Sequence, residues 1–309
     1  MPDQFLARAG WSDAVGTPLA GDASGRLYTR LTRGAESAVL MESCSAPVGP
    51  FLTVAAHLED LNLSAPRIMA VSEKDALVLM EDLGDDIFAR VVAADPAAEA
   101  PLGESVIQVL AMLQAGPVPA WAASYDAHAM TDALEPAWSH AARPNGPVAE
   151  CNRLFRGLLA EHGQGETVLL HRDFHAENLV WLPGREGARR VGLLDFQDAL
   201  AGHPAYDLAS YLQDARRDVS PETEAWMLDR FCAVTHRDRD TFGAAYALQS
   251  LQRNVRILGL FARLAERGRT GYLAHVPRVR GYVERSLAHP AAAPLAGPLR
   301  DCILTPVAA

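Results

Sequence analysis

The stretch Val168-Leu169-Leu170-His171-Arg172-Asp173-Phe174-His175-Ala176-Glu177-Asn178 carries an aspartate and, five residues on, an asparagine. Seventeen residues after Asn178 comes Asp195, at the end of an apolar run and followed by Phe196. An order of His-Arg-Asp, four residues, Asn, and then a strand-borne Asp-Phe suits phosphoryl transfer. The negative oxygens around a reacting phosphorus call for metal charge held by a carboxylate and an amide oxygen, and a second carboxylate must face the attacking hydroxyl. Asp173 is the candidate base; Asn178 and Asp195 are the candidate metal ligands. Read only as turn residues and helix caps, the same side chains have no reason to converge on one short island of strands.

Two histidines flank the aspartate. His171 and His175, at i and i+4, raise the alternative of a metal-dependent hydrolase. The apolar strand before them and Asn178-Leu179-Val180-Trp181 after them make the segment a loop, where this spacing does not put both rings on one metal, and no third ligand is evident. His171 is read as a structural loop residue. Asp207, which follows Tyr206 at the opening of an apolar helix, is read as an N-cap or as a brace for the catalytic loop.

The elements that must position these groups fall into two kinds. Residues 26–31, 38–41 and 76–80 have strand character, and residues 51–61 form a helix whose apolar positions are Leu52, Ala55, Ala56 and Leu58. After Gly84 the pattern turns helical, over 103–114, 151–162, 206–217, 221–234 and 241–267. The exception is the island of strands 168–170, 179–182 and 191–194, with Pro183-Gly184-Arg185-Glu186-Gly187 as a hairpin turn. The sequence predicts an α+β fold with a small β-rich N-terminal lobe (1–83), a larger mainly helical lobe (84–288) and a loose Ala/Pro-rich tail (289–309).

Composition excludes several classes. The chain has 309 residues, a net charge of −10, 27 arginines and a single lysine, Lys74. The acidic balance argues against nucleic acid or an anionic membrane surface as a partner. Lys74 lies between Glu73 and Asp75, so neither a P-loop nor a desolvated Schiff-base lysine is present. Four cysteines without C-x-x-C spacing and an N-terminus without a basic-then-apolar leader suit a cytoplasmic protein with reduced thiols. The uncharged run 105–125 is broken by Gln108, Gln114, Gly116, Pro117 and Pro119, which defeats a membrane span.

The order of small sheet, hinge, His171-Arg172-Asp173 to Asn178 and Asp195-Phe196 resembles the aminoglycoside phosphotransferase and choline kinase group, relatives of the protein kinases. The likeness narrows at Leu19-Ala20-Gly21-Asp22-Ala23-Ser24 with Arg26, Tyr28 and Arg30, at Glu81-Asp82-Leu83-Gly84-Asp85, at Asp195-Phe196-Gln197-Asp198-Ala199 with Tyr206-Asp207-Leu208, and at Gln252-Arg253 through Arg263. These segments are similar to bacterial anomeric kinases of cell-wall recycling. The resemblance implies ATP and Mg²⁺ as cofactors and phosphorylation of the C1 hydroxyl of N-acetylmuramate or N-acetylglucosamine, a small-molecule amino sugar. It also implies nucleotide contacts at Ser24 and at the backbone of Glu81 and Leu83.

This sequence departs from the kinase pattern at the phosphates. There is no G-x-G-x-x-G, and the strand that would carry Val-Ala-Ile-Lys reads Ala38-Val39-Leu40-Met41. Either the chain binds nucleotide without catalysis, or another cation replaces the lysine. Strand alternation puts Arg26, Tyr28 and Arg30 on one face, so either arginine could reach phosphate oxygens with its guanidinium fork, unless both lie on a solvated face. Retention of Asp173, Asn178 and Asp195 favours an active enzyme. For the acceptor, Gln213, Asp214, Gln252 and Arg253 are candidates, Arg253 being suited to a lactyl carboxylate. A polycationic aminoglycoside would instead exploit acidic residues such as Asp214, Asp218, Glu222 and Glu224.

Overall fold

The computed structural model describes residues 2–19, 25–44, 46–141, 147–163 and 166–304. Ser24 lies outside them. In chain order the first elements are α1 (Pro2–Arg8), β1 (Val15–Pro18), β2 (Arg26–Arg33), β3 (Glu36–Ser43), α2 (Gly49–Asp60), β4 (Ile68–Ser72), β5 (Leu77–Glu81), α3 (Phe88–Ala94) and α4 (Glu99–Ala115). Next come α5 (Ala127–Asp132), α6 (Glu135–Trp138), α7 (Pro147–His162), β6 (Val168–Leu170), β7 (Leu179–Trp181), β8 (Val191–Leu193) and β9 (Leu200–Gly202). The chain continues through α8 (Ala205–Leu212), α9 (Pro221–Thr235), α10 (Arg239–Glu266), α11 (Val276–Leu287) and α12 (Ala296–Leu299).

Two compact units result, residues 1–109 with 177–198, and residues 110–176 with 199–309. The division does not fall after residue 83. The β7–β8 hairpin joins the first unit because Leu193 N–H donates to Ser64 O at 2.8 Å and Trp181 N–H to Asp86 O at 2.7 Å. A bridge between Ile87 and Val180 adds to this.

The first unit is built on an antiparallel sheet of order β1-β2-β3-β5-β4. Alternation along β2, β3 and β5 sorts side chains by face. Leu31, Ala38, Leu40, Leu77 and Leu79 bury against Phe5 and Trp11. Tyr28, Arg30, Val39 and Met80 point the other way and line a cavity. Helix α2 buries Phe51, Val54, Ala55 and Leu58. That stripe is rotated from the expected one: Leu52 is half-buried and Ala56 exposed. Both stripes have i, i+3, i+4 spacing and share Ala55 and Leu58, so periodicity alone could not choose; the larger Phe51 and Val54 win the core.

The second unit is organised around the 28-residue α10, with buried side chains along most of its length. Leu248, Leu251, Val255, Leu258 and Phe261 join Phe155 and Leu159 of α7 and Val279 and Val283 of α11 in one core. The expected loose tail is instead packed through residue 303. Pro290 to Leu295 form a 3₁₀ turn that leads into α12. Ala292, Leu295, Leu299 and Cys302, three or four residues apart, bury in that same core. Pro290 opens the 3₁₀ turn and Pro298 falls in the first turn of α12, where a missing N–H costs nothing, while Pro294 lies inside the 3₁₀ turn.

Close approach explains Gly259. A Cβ there would overlap the backbone of Pro136 and Ala137 at the α6 contact. Gly259→Ala should destabilise the chain by about 2–3 kcal/mol despite the smaller gain in helix propensity, measured by urea unfolding; wild-type stability would show that α6 yields freely.

Candidate active site

Within the first unit one cavity of about 520 Å³ gathers the cleft residues. Its roof is Tyr28, Arg30, Val39 and Met80, its side the hinge 81–85, and its floor Asn178, Asp195 and Phe196. Asn178 and Asp195 are brought together by the β7–β8 ladder and by Leu194 N–H donating to Asn178 O at 2.9 Å. Asp195 has φ 59°, a left-handed conformation that aspartate tolerates better than most residues. Its Oδ1 accepts from Gln197 Nε2 at 2.6 Å. Phe196 is buried and stacks on Phe51 of α2, with ring centroids 4.9 Å apart.

The two arginines of β2 have different surroundings. Arg30, opposite Val39, is held by the hinge: its Nε lies 2.7 Å from Asp82 Oδ2, and its Nη1 donates to Asp85 Oδ2 at 2.7 Å. Asp85 lies below the usual carboxylate range because it accepts from Arg30. Arg26 opens β2 and pairs in register with Ser43, and four strand residues put it about 13 Å from Arg30 along the sheet. It is 6% exposed, and its Nε has no hydrogen-bond partner among the described residues. Met41, where the kinase lysine would stand, is fully buried opposite Tyr28. Of the hinge candidates, Glu81 and Leu83 both line the cavity. The Glu81 carboxylate is turned to Arg185, 2.6 Å away.

Asp173 belongs to the second unit, in the loop that leaves β6. Antiparallel β6 and β9 set its start, and Asp207 of α8 sets its shape. The Asp207 carboxylate accepts the backbone N–H of His171 at 2.6 Å and of Arg172 at 2.8 Å. Arg172 has φ 77°, costly for a side chain of its size, and those two bonds hold it there. Burial pushes the Asp207 carboxyl up to about 7, against the lowering effect of the two N–H groups. His175 N–H donates to Asp173 O at 3.0 Å. Burial, aided by the Arg216 guanidinium, pushes the His175 ring down to about 3. His171 is buried against Phe174 in an edge-to-face contact. Among the described residues, no three His, Cys, Asp or Glu are grouped so as to hold a metal ion.

Gln213, Asp214, Gln252 and Arg253 are all buried in this unit. Gln213 Nε2 donates to Glu224 Oε1 at 2.8 Å, and its Oε1 accepts from Asn254 Nδ2 at 2.6 Å. Gln252 Nε2 is bonded to Met130 O at 2.6 Å, and Arg253 Nη1 to Gln213 O at 3.3 Å. Asp214 Oδ1 accepts Arg216 N–H, while its Oδ2 has no partner among the described residues. Glu224, which the sequence offered among the acidic residues for a polycationic aminoglycoside, is a buried hub that also binds Tyr246 Oη at 2.7 Å and Arg285. A single glutamate in an amphipathic helix gives no sign of this. The Asp82 and Asp85 partners of Arg30 were equally unsignalled, because the pairing spans more than fifty residues.

A model of the phosphotransferase enzyme family matches residues 15–258, and the chain belongs to that family. It is 37% identical to the N-acetylmuramate/N-acetylglucosamine kinase of Caulobacter vibrioides, over 94% of this chain and 93% of that protein. With the enzyme of the same name from Pseudomonas aeruginosa it shares 29% identity, over 93% and 89%. Its fold is similar to the crystal structure of a choline/ethanolamine kinase family protein from Mesorhizobium loti, with a TM-score of 0.68 at 14% identity over 97% of this chain and 98% of that one. The protein is thus a kinase-fold phosphotransferase of two units, β-rich and helical. No helix among the described residues is long and apolar enough to cross a membrane.

Two outcomes follow from the loop geometry. Asp207→Asn keeps one acceptor oxygen but sets an amide N–H against a backbone N–H, so turnover should fall about 10- to 100-fold while the circular dichroism spectrum is retained; unchanged kcat would remove Asp207 from loop positioning. His203 Nδ1 accepts the N–H of Ala205 at the start of α8, and burial pushes its pKa down to about 4. The folded chain therefore binds fewer protons than the unfolded one between pH 6.5 and about 4. Stability from His203 is complete above pH 6.5 and drains as pH falls toward 4, by up to about 2 kcal/mol between pH 6.5 and 5. Melting at pH 7.5 and 5.0, with His203→Gln flattening the difference, checks this.

Proposed function

We propose that this phosphotransferase moves the γ-phosphoryl group of ATP to the anomeric C1 hydroxyl of N-acetylmuramate, N-acetylglucosamine or both. The observation that carries the reading is one cavity lined by a kinase-like hinge on one side and by Asn178 and Asp195 on another. Identity to the amino-sugar kinase of Caulobacter vibrioides supports the choice of acceptor. In this reading the backbone of Glu81 and Leu83 receives adenine, and Ser24, which lies outside the described residues, contacts the nucleotide.

Asn178 and Asp195 suit Mg²⁺, since both offer oxygen donors to the same space and leave positions for phosphate oxygens and water. The ion, when bound, neutralises charge on the transferring group. Asp173 orients the acceptor hydroxyl and takes its proton as the new O–P bond forms and ADP leaves. Five residue steps join Asp173 to Asn178, so their Cα atoms lie within roughly 17 Å whatever the loop does. Arg26 takes the role of the absent lysine, because Arg30 is already neutralised by Asp82 and Asp85 while Arg26 Nε is buried without a partner among the described residues. Of the four acceptor candidates, Gln213 and Gln252 hold the scaffold. Asp214 and Arg253 remain for the sugar, and Arg253 suits the lactyl carboxylate. An aminoglycoside reading loses support, since Glu224 and Asp218 are already paired with arginines.

Asp173→Asn should cut kcat by at least about a thousandfold with ATP affinity retained; Arg26→Ala should cost about 10- to 100-fold in kcat/KM for ATP. ATP consumption against N-acetylmuramate, N-acetylglucosamine, choline, homoserine and kanamycin, with the phosphate located by NMR, tests the acceptor. Phosphate anywhere but C1 would overturn the anomeric assignment, and wild-type kinetics in Arg26→Ala would overturn its role.

A further inference from the structure

A second cavity of about 400 Å³ lies in the first unit, between α2, the start of β4 and the β7–β8 hairpin. Its floor is apolar, from Leu52, Ala55, Leu63 and Ile68, and its rim carries Arg67, Arg185 and Arg189 against Glu59 and Glu81. Glu81 is spent on Arg185 at 2.6 Å. Arg67 offers its backbone N–H to Glu81 but makes no side-chain ion pair among the described residues. The Arg189 guanidinium reaches only the neutral Asn62 Oδ1 among the described residues, at 3.4 Å. By contrast, Arg30, Arg33, Arg153, Arg237, Arg278 and Arg300 each meet a carboxylate within 3 Å.

We infer that this cavity binds a small organic anion, a phosphate or carboxylate on an apolar body, at a site separate from the catalytic cavity. The anionic head would bridge the Arg67 and Arg189 guanidinium groups, whose fork geometry suits either group, and the apolar body would cover the floor between α2 and β4. The volume is that of a small-molecule site. Glu81 lines both cavities, and the next residue, Asp82, holds Arg30 over the nucleotide site. An anion that draws Arg185 away from Glu81 changes the hinge that adenine would meet, so the two sites are coupled, and the coupling is reciprocal.

The test is calorimetric titration of the full chain with phenyl phosphate, with and without a saturating non-hydrolysable ATP analogue. Benzoate, inorganic phosphate and benzyl alcohol serve as comparisons. One equivalent of phenyl phosphate should bind in both conditions, about fivefold differently in affinity, and more tightly than inorganic phosphate or benzyl alcohol. Benzoate ranks carboxylate against phosphate. The variant Arg67→Ala/Arg189→Ala changes two exposed side chains; it should melt as the wild type does and bind phenyl phosphate at least about tenfold more weakly. If that pair fails to fold, Arg189→Ala alone carries the comparison. No saturable binding, equal binding by the variant, or one-for-one displacement by the ATP analogue would overturn the site, and equal affinity with and without the analogue would overturn its coupling to the hinge. Binding is read directly, so failure here leaves the kinase reading untouched, and failure of the acceptor panel leaves this site untouched.

Discussion

The carboxylate of Asp207, buried in α8 and bonded to two successive backbone N–H groups, is the constraint on which the loop that carries Asp173 depends. A non-glycine residue at φ 77° is not a conformation that a loop keeps unaided. Without an acceptor, the N–H groups of His171 and Arg172 would be left buried and unsatisfied, and the loop would relax toward an ordinary extended path. Asp207 is itself raised toward neutrality by burial, so the brace combines a desolvated charge with a strained backbone, each of which makes the other tolerable. Such pairs belong where geometry matters more than stability.

The hinge is organised by charge in a different way. Arg185, Glu81, Asp82 and Arg30 form two ion pairs joined through a single peptide bond. The pairs are partly exposed and individually contribute little to stability. Their effect is positional: Arg30, which the sequence offered for the phosphates, is drawn to the hinge end of the roof. Arg26, at the other end of the same strand, is buried and makes no ion pair among the described residues. Strand alternation put both arginines on one face, but only the long-range partners distinguish their roles.

Much of the site was legible because its residues lie close in the chain. His171 through Asn178 and Asp195-Phe196 fall within twenty-six residues, and apolar runs on either side fixed their strands. Strands β2, β3 and β5 and helices α7, α9 and α10 followed from periodicity, and the kinase-like fold from the resemblance carried by the motifs and their order. Short elements escaped: β4 alternates weakly, and β9 is three residues ending in glycine. The stripe of α2 and the packing of residues 290–303 were misread for one reason, that small residues such as alanine satisfy several burial patterns and only tertiary contacts choose. The network around Glu224 lay beyond local reading, since its partners Gln213, Tyr246 and Arg285 come from the end of α8, from α10 and from α11.

Met41 is a buried thioether on β3, and the one lysine of the chain, Lys74, sits in the turn between β4 and β5. The cavity proposed for the nucleotide therefore has no lysine in its lining. Acyl-phosphate forms of ATP, which mark kinases by acylating a lysine beside the phosphates, have no nucleophile of that kind to reach here. A proteome survey built on such reagents would pass over this enzyme even when it is abundant and occupied by nucleotide.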